Sequence, residues 1–361
     1  MISSRKRINV IGLGLLGLSP VVRSQLEPVV AQSTSQSYFY ASASAVNRLG
    51  QICGRAMPGP GKAQAIYWSD VDSSPVDLPG LTGNNLNSTA DINDAGQIVG
   101  SSRPEVAEGP EVPLPSGSGV LWTNEKVTKL SPLDGDDWCE CSALSNMSGI
   151  FGREVLVGTS GRVLGGSRAT YWLDGPIEMI VPSDATESRA NGLNDVDFIV
   201  GDIWTPARGW FAVGWIGADG WYVEFKGLAG DPESHAYDVN DNGQVVGSSW
   251  RSDGPNHAIM WYDGETIDLG VLPGYLRSEA LSINNNGMSV GVSFPNRGPS
   301  RATFWYEGKI VDLGALDGDS GSRAIDINDS GLIIGESYTA DFVGRPVYWR
   351  DGEIGELQVP T

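Results

Sequence analysis

The chain has 361 residues, of which 40% are hydrophobic and 19% are charged, and its formal net charge is −20. This length and apolar share are sufficient for a sizeable core. The strong negative charge repels phosphate backbones, which argues against nucleic-acid binding as the main function.

The first 31 residues have the pattern of a secretory signal peptide. Basic residues at 5–7 precede an apolar run at 8–22, and small residues precede a cut after Ala31. Glycine and proline interrupt the run, and it is shorter than the ~20 residues that span a bilayer, so a membrane anchor is the weaker alternative. The sequence therefore predicts a signal peptide at 1–31, a linker at 32–40 and a repeat domain at 41–361. The mature protein is expected to be secreted or periplasmic.

Seven copies of one unit fill the rest of the chain. An asparagine marks each copy, with spacings of 46, 53, 48, 46, 44 and 44 residues. The marker asparagines are Asn47, Asn93, Asn146, Asn194, Asn240, Asn284 and Asn328. Four residues before each asparagine stands a small residue: Ala43, Thr89, Ser142, Ala190, Ala236, Ala280 and Ala324.

Each copy also contains a glycine and a tryptophan after the asparagine. In six copies the glycine follows by seven residues, whereas in the third copy it is Gly158, twelve residues on. The second copy carries an insertion at 103–118 and the third an insertion at 153–157. The repeat tryptophans, expected to fill the space between neighbouring units, are Trp68, Trp122, Trp172, Trp215, Trp261, Trp305 and Trp349.

The repeat predicts an all-β seven-bladed propeller. Short apolar runs separated by Asn, Asp and Gly turns are typical of strands and hairpins, and a period in the forties with four strands indicates a propeller blade. An open β-repeat array is the alternative. Strand 41–46 could close a ring by completing a blade begun at the C-terminus, but the sequence does not fix that arrangement.

Several units resemble the HAF family of probable extracellular repeats found in bacterial proteins. The resemblance rests on segments such as AYDVNDNGQVVGSS at 236–249 and AIDINDSGLIIGES at 324–337, and it covers roughly residues 41–361. The tripeptide of the family name survives once, loosely, as His257-Ala258-Ile259. The resemblance implies a secreted β-repeat protein and implies neither a reaction nor a ligand.

The Asn-Asp-x-Gly segments are predicted to be tight turns. Asn and Asp side chains bond to nearby backbone and Gly supplies the positive φ of a hairpin; only Asp197 replaces that glycine. Residues 238–243 match the start of a calcium-binding loop, but its twelfth position is Ser249 and not Glu. Calcium is therefore the less favoured alternative, and no cofactor is predicted.

Five tryptophans are not required by the repeat, and four of them lie in the fourth and fifth copies: Trp204, Trp210, Trp221 and Trp250. Exposed aromatic side chains suit stacking on sugar rings or anchoring a protein partner. Extra core filling is the equally weighted alternative. The hypothesis is that these four residues form a binding site for a glycan or an extracellular protein.

The remaining reactive residues indicate no catalytic centre. The two histidines, His235 and His257, stand at a repeat position where other copies have Arg or Gln, and the three cysteines are Cys53, Cys139 and Cys141. Known catalytic motifs are absent from the sequence. The expected function is non-enzymatic binding by a monomeric scaffold protein; a carbohydrate-active enzyme and a structural envelope protein are the alternatives.

Overall fold

The computed structural model of the chain describes residues 40–59, 61–104, 117–124, 126–146, 154–163, 165–217, 221–251 and 254–360. These residues form 28 strands and no helix. The predicted signal peptide at 1–31, all but Tyr40 of the predicted linker and most of the insertion at 103–118 lie outside the described residues. Nothing in the described ranges is a helix of the length and apolar character needed for a membrane crossing.

The strands follow one another in groups of four, one group per sequence repeat. Repeats one to four contain β1 (Tyr40–Val46), β2 (Ile52–Gly59), β3 (Lys62–Trp68), β4 (Val76–Asp77), β5 (Leu86–Ile92), β6 (Ile98–Arg103), β7 (Ser118–Thr123), β8 (Lys126–Lys129), β9 (Trp138–Leu144), β10 (Leu156–Gly161), β11 (Ser167–Trp172), β12 (Pro176–Glu178), β13 (Glu187–Leu193), β14 (Phe198–Thr205), β15 (Gly209–Ile216) and β16 (Tyr222–Phe225). Repeats five to seven contain β17 (Glu233–Val239), β18 (Val245–Trp250), β19 (His257–Tyr262), β20 (Glu265–Asp268), β21 (Arg277–Ile283), β22 (Ser289–Phe294), β23 (Arg301–Tyr306), β24 (Lys309–Asp312), β25 (Gly321–Ile327), β26 (Ile333–Tyr338), β27 (Gly344–Arg350) and β28 (Glu353–Glu356).

The described strands are arranged in six sheets. Five are four-stranded antiparallel meanders, and one is eight-stranded because a single parallel bridge, Ala63 to Leu86, joins the first two repeats. We call the end of a repeat that carries its Asn turn the turn end. The opposite end, where the chain enters the first strand and where the second and third strands are joined, is the connection end.

The Asn turns form as the sequence predicts. The Asn240 Oδ1 accepts the backbone N–H groups of Asn242 at 3.1 Å and Gln244 at 2.9 Å. Gly243 has a φ of 76°, which glycine adopts without steric cost. Asp197 replaces this glycine in the fourth repeat and still takes the left-handed conformation, with a φ of 58°. The same side-chain-to-backbone bonding recurs in every repeat with a turn asparagine, so the turn is encoded locally.

The structure corrects the alignment of the third repeat by one residue. Gly158 pairs with Cys141, in the register that joins the other repeat glycines to their small residues, so Cys141 and not Ser142 holds the small position. Ser145 consequently takes the place of the turn asparagine: its N–H donates to Val155 O, and its Oγ accepts the Val155 N–H. Asn146, expected at the turn position, instead aligns with the residues that follow the other turn asparagines, four of which are aspartates.

The repeat tryptophans are core residues, as predicted. All seven are at most 5% exposed. Each indole N–H donates, at 2.6 to 3.3 Å, to a carbonyl just after the fourth strand of the neighbouring repeat. Buried indoles need such a partner, so each tryptophan packs one repeat on the next and fixes their relative position. In chain order the acceptors are Gln358, Pro79, Ser131, Ile180, Lys226, Gly270 and Leu313.

The first and seventh repeats contact each other through the same kinds of interaction. Trp68 donates to Gln358 O at 2.7 Å, and the Asn328 amide donates to Asn47 O at 2.9 Å. The first strands of successive repeats lie side by side, and β25 lies beside β1. However, β1 pairs only with β2, and the seventh sheet is built entirely from β25 to β28. Strand 41–46 therefore does not complete a C-terminal blade, which was one of the arrangements that the sequence left open.

Candidate functional site

The structure brings three of the four extra tryptophans to one end of the fold and places the fourth at the other. Trp204 is the penultimate residue of β14 and is paired with Trp210, which lies near the start of β15. Trp250 ends β18. All three are at the connection end. Trp221 precedes β16 at the turn end and is 69% exposed, so it belongs to no common site with the others.

An imidazole at what the sequence indicates to be an ordinary repeat position lies between two of these indoles. The ring of His235 is 5.9 Å from the rings of both Trp210 and Trp250, and it stacks on Tyr237 at 6.2 Å. Trp210 comes from the fourth repeat and the other three residues from the fifth. We call the surface formed by Trp210, His235, Tyr237 and Trp250 the aromatic cleft.

A buried carboxylate fixes the imidazole. The Asp202 Oδ2 lies 3.3 Å from His235 Nδ1, and its Oδ1 accepts the Ala236 N–H at 3.0 Å. The Asn191 amide donates to the same Oδ2 at 3.0 Å. Because Asp202 is only 3% exposed and bonded on both oxygens, it has little freedom to move. The imidazole orientation is therefore set by the fourth repeat although His235 belongs to the fifth.

Hydrogen bonds also hold the rings of Trp250 and Tyr237. The Trp250 indole N–H donates to Ser248 Oγ at 2.7 Å, and the Tyr237 hydroxyl lies 3.0 Å from that same oxygen. Burial raises the pKa of Tyr237, and the nearby carboxylate of Glu279 adds to the shift, so the phenol stays neutral. Trp250 nevertheless remains 37% exposed. The aromatic cleft is thus a pre-organised surface with open ring area.

Charged side chains flank the aromatic cleft. The Arg189 guanidinium carbon lies 4.4 Å from the Trp210 ring centroid, and Arg189 Nη2 is 3.5 Å from a Glu187 carboxylate oxygen. Glu233 stands directly opposite Trp250 in the β17–β18 pairing. Aromatic faces bordered by carboxylates suit planar or cationic groups of a ligand. Such an arrangement binds and orients a ligand.

A second region, a cavity of about 160 Å³, lies among the Asn turns at the turn end. One cation, Arg48, reaches into it and contacts four carboxylates: Asp94, Asp195, Asp241 and Asp329. Each of these residues follows a turn position of its repeat. Arg48 occupies the position directly after the turn asparagine, where the other repeats have Asp or Asn. Its positive charge balances the charge of these carboxylates.

Three half-buried carboxylates also line this cavity: Asp91, Asp238 and Asp326. Each accepts a backbone N–H from the adjacent repeat, from Leu144, Ile283 and Val46 respectively. Burial raises the pKa of Asp91 and of Asp238 to about 7, and the charge of Asp326 contributes to both shifts. These groups bond repeat to repeat, and their oxygens already have donors.

The described residues contain no group of three or more His, Cys, Asp or Glu side chains arranged to hold a metal ion. In the turn predicted as the less favoured calcium candidate, Asp241 Oδ1 accepts the Asp195 N–H and its Oδ2 accepts the Asn285 amide. The three cysteines are buried free thiols. Burial raises the pKa of all three, so none is a ready thiolate.

A further cavity, of about 240 Å³, lies between the third and fourth repeats at the connection end. Its charged lining is a repeated structural unit: Asp136 accepts from Ser160 and pairs with Arg168. The same unit recurs as Asp231, Ser249 and Arg251 and as Asp319, Ser337 and Arg345. Because it is shared by several repeats, it marks no unique site. Neither cavity is lined by Trp210, His235 or Trp250.

The comparisons with known proteins identify the fold. The sequence matches no protein-family model and no curated protein. Among solved structures, the chain resembles the β-propeller domain of the Trilobed protease from Pyrococcus furiosus, described as having an open velcro topology. The TM-score is 0.55 at 13% identity, and the match covers 89% of this chain and 99% of that one.

Two peptidases give comparable matches. Acylaminoacyl peptidase from Pyrococcus horikoshii has a TM-score of 0.56 at 13% identity, and a puromycin-hydrolyzing peptidase from Mycobacterium tuberculosis has 0.60 at 11%. Each match covers 88% of this chain and 52% of the peptidase. The chain therefore spans about half the length of these peptidases.

This similarity overturns the expectation of a non-enzymatic binding or scaffold protein of the HAF type, because the solved structures named here belong to peptidases and include a peptidase's propeller domain. The sequence alone could not reveal this relation at 11–13% identity. At that identity the likeness establishes the architecture only. The chain has a β-propeller fold of the kind found in these peptidases.

Proposed function

We propose that the propeller has seven blades and closes through side-chain contacts between its first and seventh repeats. Support comes from the seven indole hydrogen bonds. The Trp68 indole donates to Gln358 O of the seventh repeat, just as each other repeat tryptophan donates to a carbonyl of the repeat before it. The Asn328-to-Asn47 bond has the same 2.9 Å length as the Asn240-to-Asn284 bond inside the chain. A closed ring requires the first and seventh repeats to contact each other as neighbouring repeats within the chain do.

We further propose that this chain is a peptidase-associated propeller that binds peptide substrate at the aromatic cleft. The observation that carries the proposal is the cleft itself: two indoles and a fixed imidazole where neighbouring repeats meet, on a fold shared with peptidase propellers. Rigid aromatic side chains give large contact area at low entropic cost, which suits extended peptides. Bond cleavage is assigned to a catalytic domain or partner outside the described residues.

The full-length chain tests this function directly. A panel of fluorescein-labelled peptides is titrated with the protein and followed by anisotropy, with soluble oligosaccharides as competitors. Trp210→Ala and Trp250→Ala should each weaken peptide binding by tenfold or more, which corresponds to about 1.4 kcal/mol. Trp221→Ala is the matched control, because its indole is exposed at the opposite end.

Two results would count against the proposal. If both cleft variants bind peptide with unchanged affinity, the peptide site lies elsewhere on the protein. If only oligosaccharides bind, the ligand is a glycan and not a peptide. Near-UV circular dichroism of each variant establishes that the fold is retained.

Export, oligomeric state and the HAF resemblance remain predictions from the sequence. We propose a monomer outside the cytoplasm without its first 31 residues. N-terminal sequencing of exported protein and light scattering of the purified chain check these expectations; a full-length membrane-bound product would contradict the first of them.

A further inference from the structure

The fourth and fifth repeats use the same pairing at their connection ends. Glu187 stands opposite Trp204 in the β13–β14 pair, and Glu233 stands opposite Trp250 in the β17–β18 pair. Residues directly opposite in an antiparallel pair lie on the same face, with neighbouring side chains. Each of these two repeats therefore presents a carboxylate beside an indole at the rim of the fold.

In the fourth repeat, a cation of the chain itself lies beside the carboxylate of this pair and over a second indole, Trp210, which is paired with Trp204. Arg189, two residues after Glu187, places its guanidinium over the Trp210 ring at 4.4 Å and lies 3.5 Å from the Glu187 carboxylate. A guanidinium held between a ring face and a carboxylate gains both a cation–π contact and an ion pair. The fourth repeat thus shows which chemical group this kind of surface accepts.

In the fifth repeat, the corresponding cation is missing. His235 stands two residues after Glu233, where the fourth repeat has Arg189, and its ring turns to Asp202 instead. Within the described ranges, no basic side chain lies within ion-pair distance of Glu233. The adjacent indole of Trp250 is 37% exposed. Glu233 and Trp250 therefore stand opposite each other in the strand pair with no cation beside them among the described residues, and the Glu233 carboxylate lies over Gly209 of the fourth repeat.

We propose that Glu233 and Trp250 bind the guanidinium or ammonium group of an arginine or lysine side chain in a peptide ligand. This inference rests on the proposed peptide-binding function and names the ligand residue that the aromatic cleft selects. The formal charge of −20 favours approach of basic segments. His235, held by Asp202, forms the wall against which the aliphatic part of the ligand side chain packs.

The experiment compares two labelled alanine pentapeptides that differ at the central residue. One carries arginine, and the other carries citrulline, which has nearly the same shape and no charge. Binding to the full chain is measured by anisotropy at low and high salt. The arginine peptide should bind about tenfold more tightly at low salt, and salt should reduce the difference.

Variants locate the effect. Glu233→Gln should abolish the preference for arginine over citrulline, and Trp250→Ala should weaken the binding of both peptides. Glu187→Gln is the matched control, because that carboxylate already pairs with Arg189, and it should keep the preference.

The outcomes separate this inference from the function on which it rests. If the arginine and citrulline peptides bind with equal affinity and Trp250→Ala abolishes the binding of both, the cation site is overturned. The proposed peptide-binding function then still stands. A preference that survives Glu233→Gln also overturns it. Failure of every peptide in the wider panel to bind overturns the proposed function and the inference together.

Discussion

Replacing the turn residue Asn240 with alanine should lower the free energy of unfolding by about 3 kcal/mol. The side chain is 4% exposed and makes four hydrogen bonds. Its Oδ1 accepts two backbone N–H groups of its own turn, and its amide donates to Gln244 Oε1 and to Asn284 O of the next repeat. Alanine leaves two backbone donors and one carbonyl without partners, at roughly 1 kcal/mol each.

The third repeat provides a matched comparison, because Ser145 naturally occupies the same position. Its Oγ still accepts a turn N–H, from Val155 at 3.0 Å. Asn240→Ser should therefore keep part of the turn and lose the amide bond to the next repeat, costing roughly half as much as alanine. Asn242→Ala, which removes one exposed bond to Asn285 O, should cost under about 0.5 kcal/mol.

Equilibrium urea unfolding followed by tryptophan fluorescence measures these differences, with and without calcium. The denaturant slope should stay constant across the variants, so that midpoints report stability. A loss below about 1 kcal/mol in Asn240→Ala, or equal losses for alanine and serine, would refute the assigned bonding. A stability gain from calcium that disappears in the variant would indicate a metal site instead.

Three further predictions follow from the described contacts. Asn328→Ala should cost as much as Asn240→Ala, because Asn328 bonds to Asn47 of the first repeat; a much smaller loss in the same unfolding assay would argue against ring closure. Burial raises the pKa of Asp238 from 3.8 to about 7, so the native state binds more protons than the unfolded state in that window, and stability falls as pH rises through it. Asp238→Asn should remove up to about 1.4 kcal/mol per pH unit of that decline in urea titrations between pH 4 and 7, and an unchanged slope would contradict the assignment. Arg48→Met should lower the melting temperature by leaving four carboxylates unbalanced, and added salt should restore part of the loss; a salt-independent loss would mean that packing dominates.

Local patterns in the sequence predict much of this fold. The repeat tryptophans could be assigned to the core because a large aromatic at a fixed offset must serve the same purpose in each unit. The Asn turns could be predicted because a side chain and a glycine fix them within a few residues. Closure could not, since it depends on contacts such as Asn328 with Asn47 that are 281 residues apart.

The candidate site was only partly predictable for the same reason. Trp210 and Trp250 were identified because they break the repeat, but Trp221 breaks it equally and lies at the opposite end. His235 was assigned to an ordinary repeat position, because its partner Asp202 lies in another repeat. The prediction that Asn146 is the turn residue of the third repeat was wrong, because Ser145 occupies that position and accepts the turn N–H with its hydroxyl. The adjacent asparagine fitted the repeat spacing nearly as well.

The buried thiols provide a built-in reporter of partial opening. Cys53 lies in the first repeat and Cys139 in the third, and both are 0% exposed. A thiol-specific reagent reaches them only when the surrounding strands separate, so the labelling rate measures how often each repeat opens. Equal rates at the two positions would mean that the repeats open as one cooperative unit. A faster rate at Cys53, which packs in one core cluster with Ile92 and Ile98, would identify the contact between the first and second repeats as the place where unfolding begins.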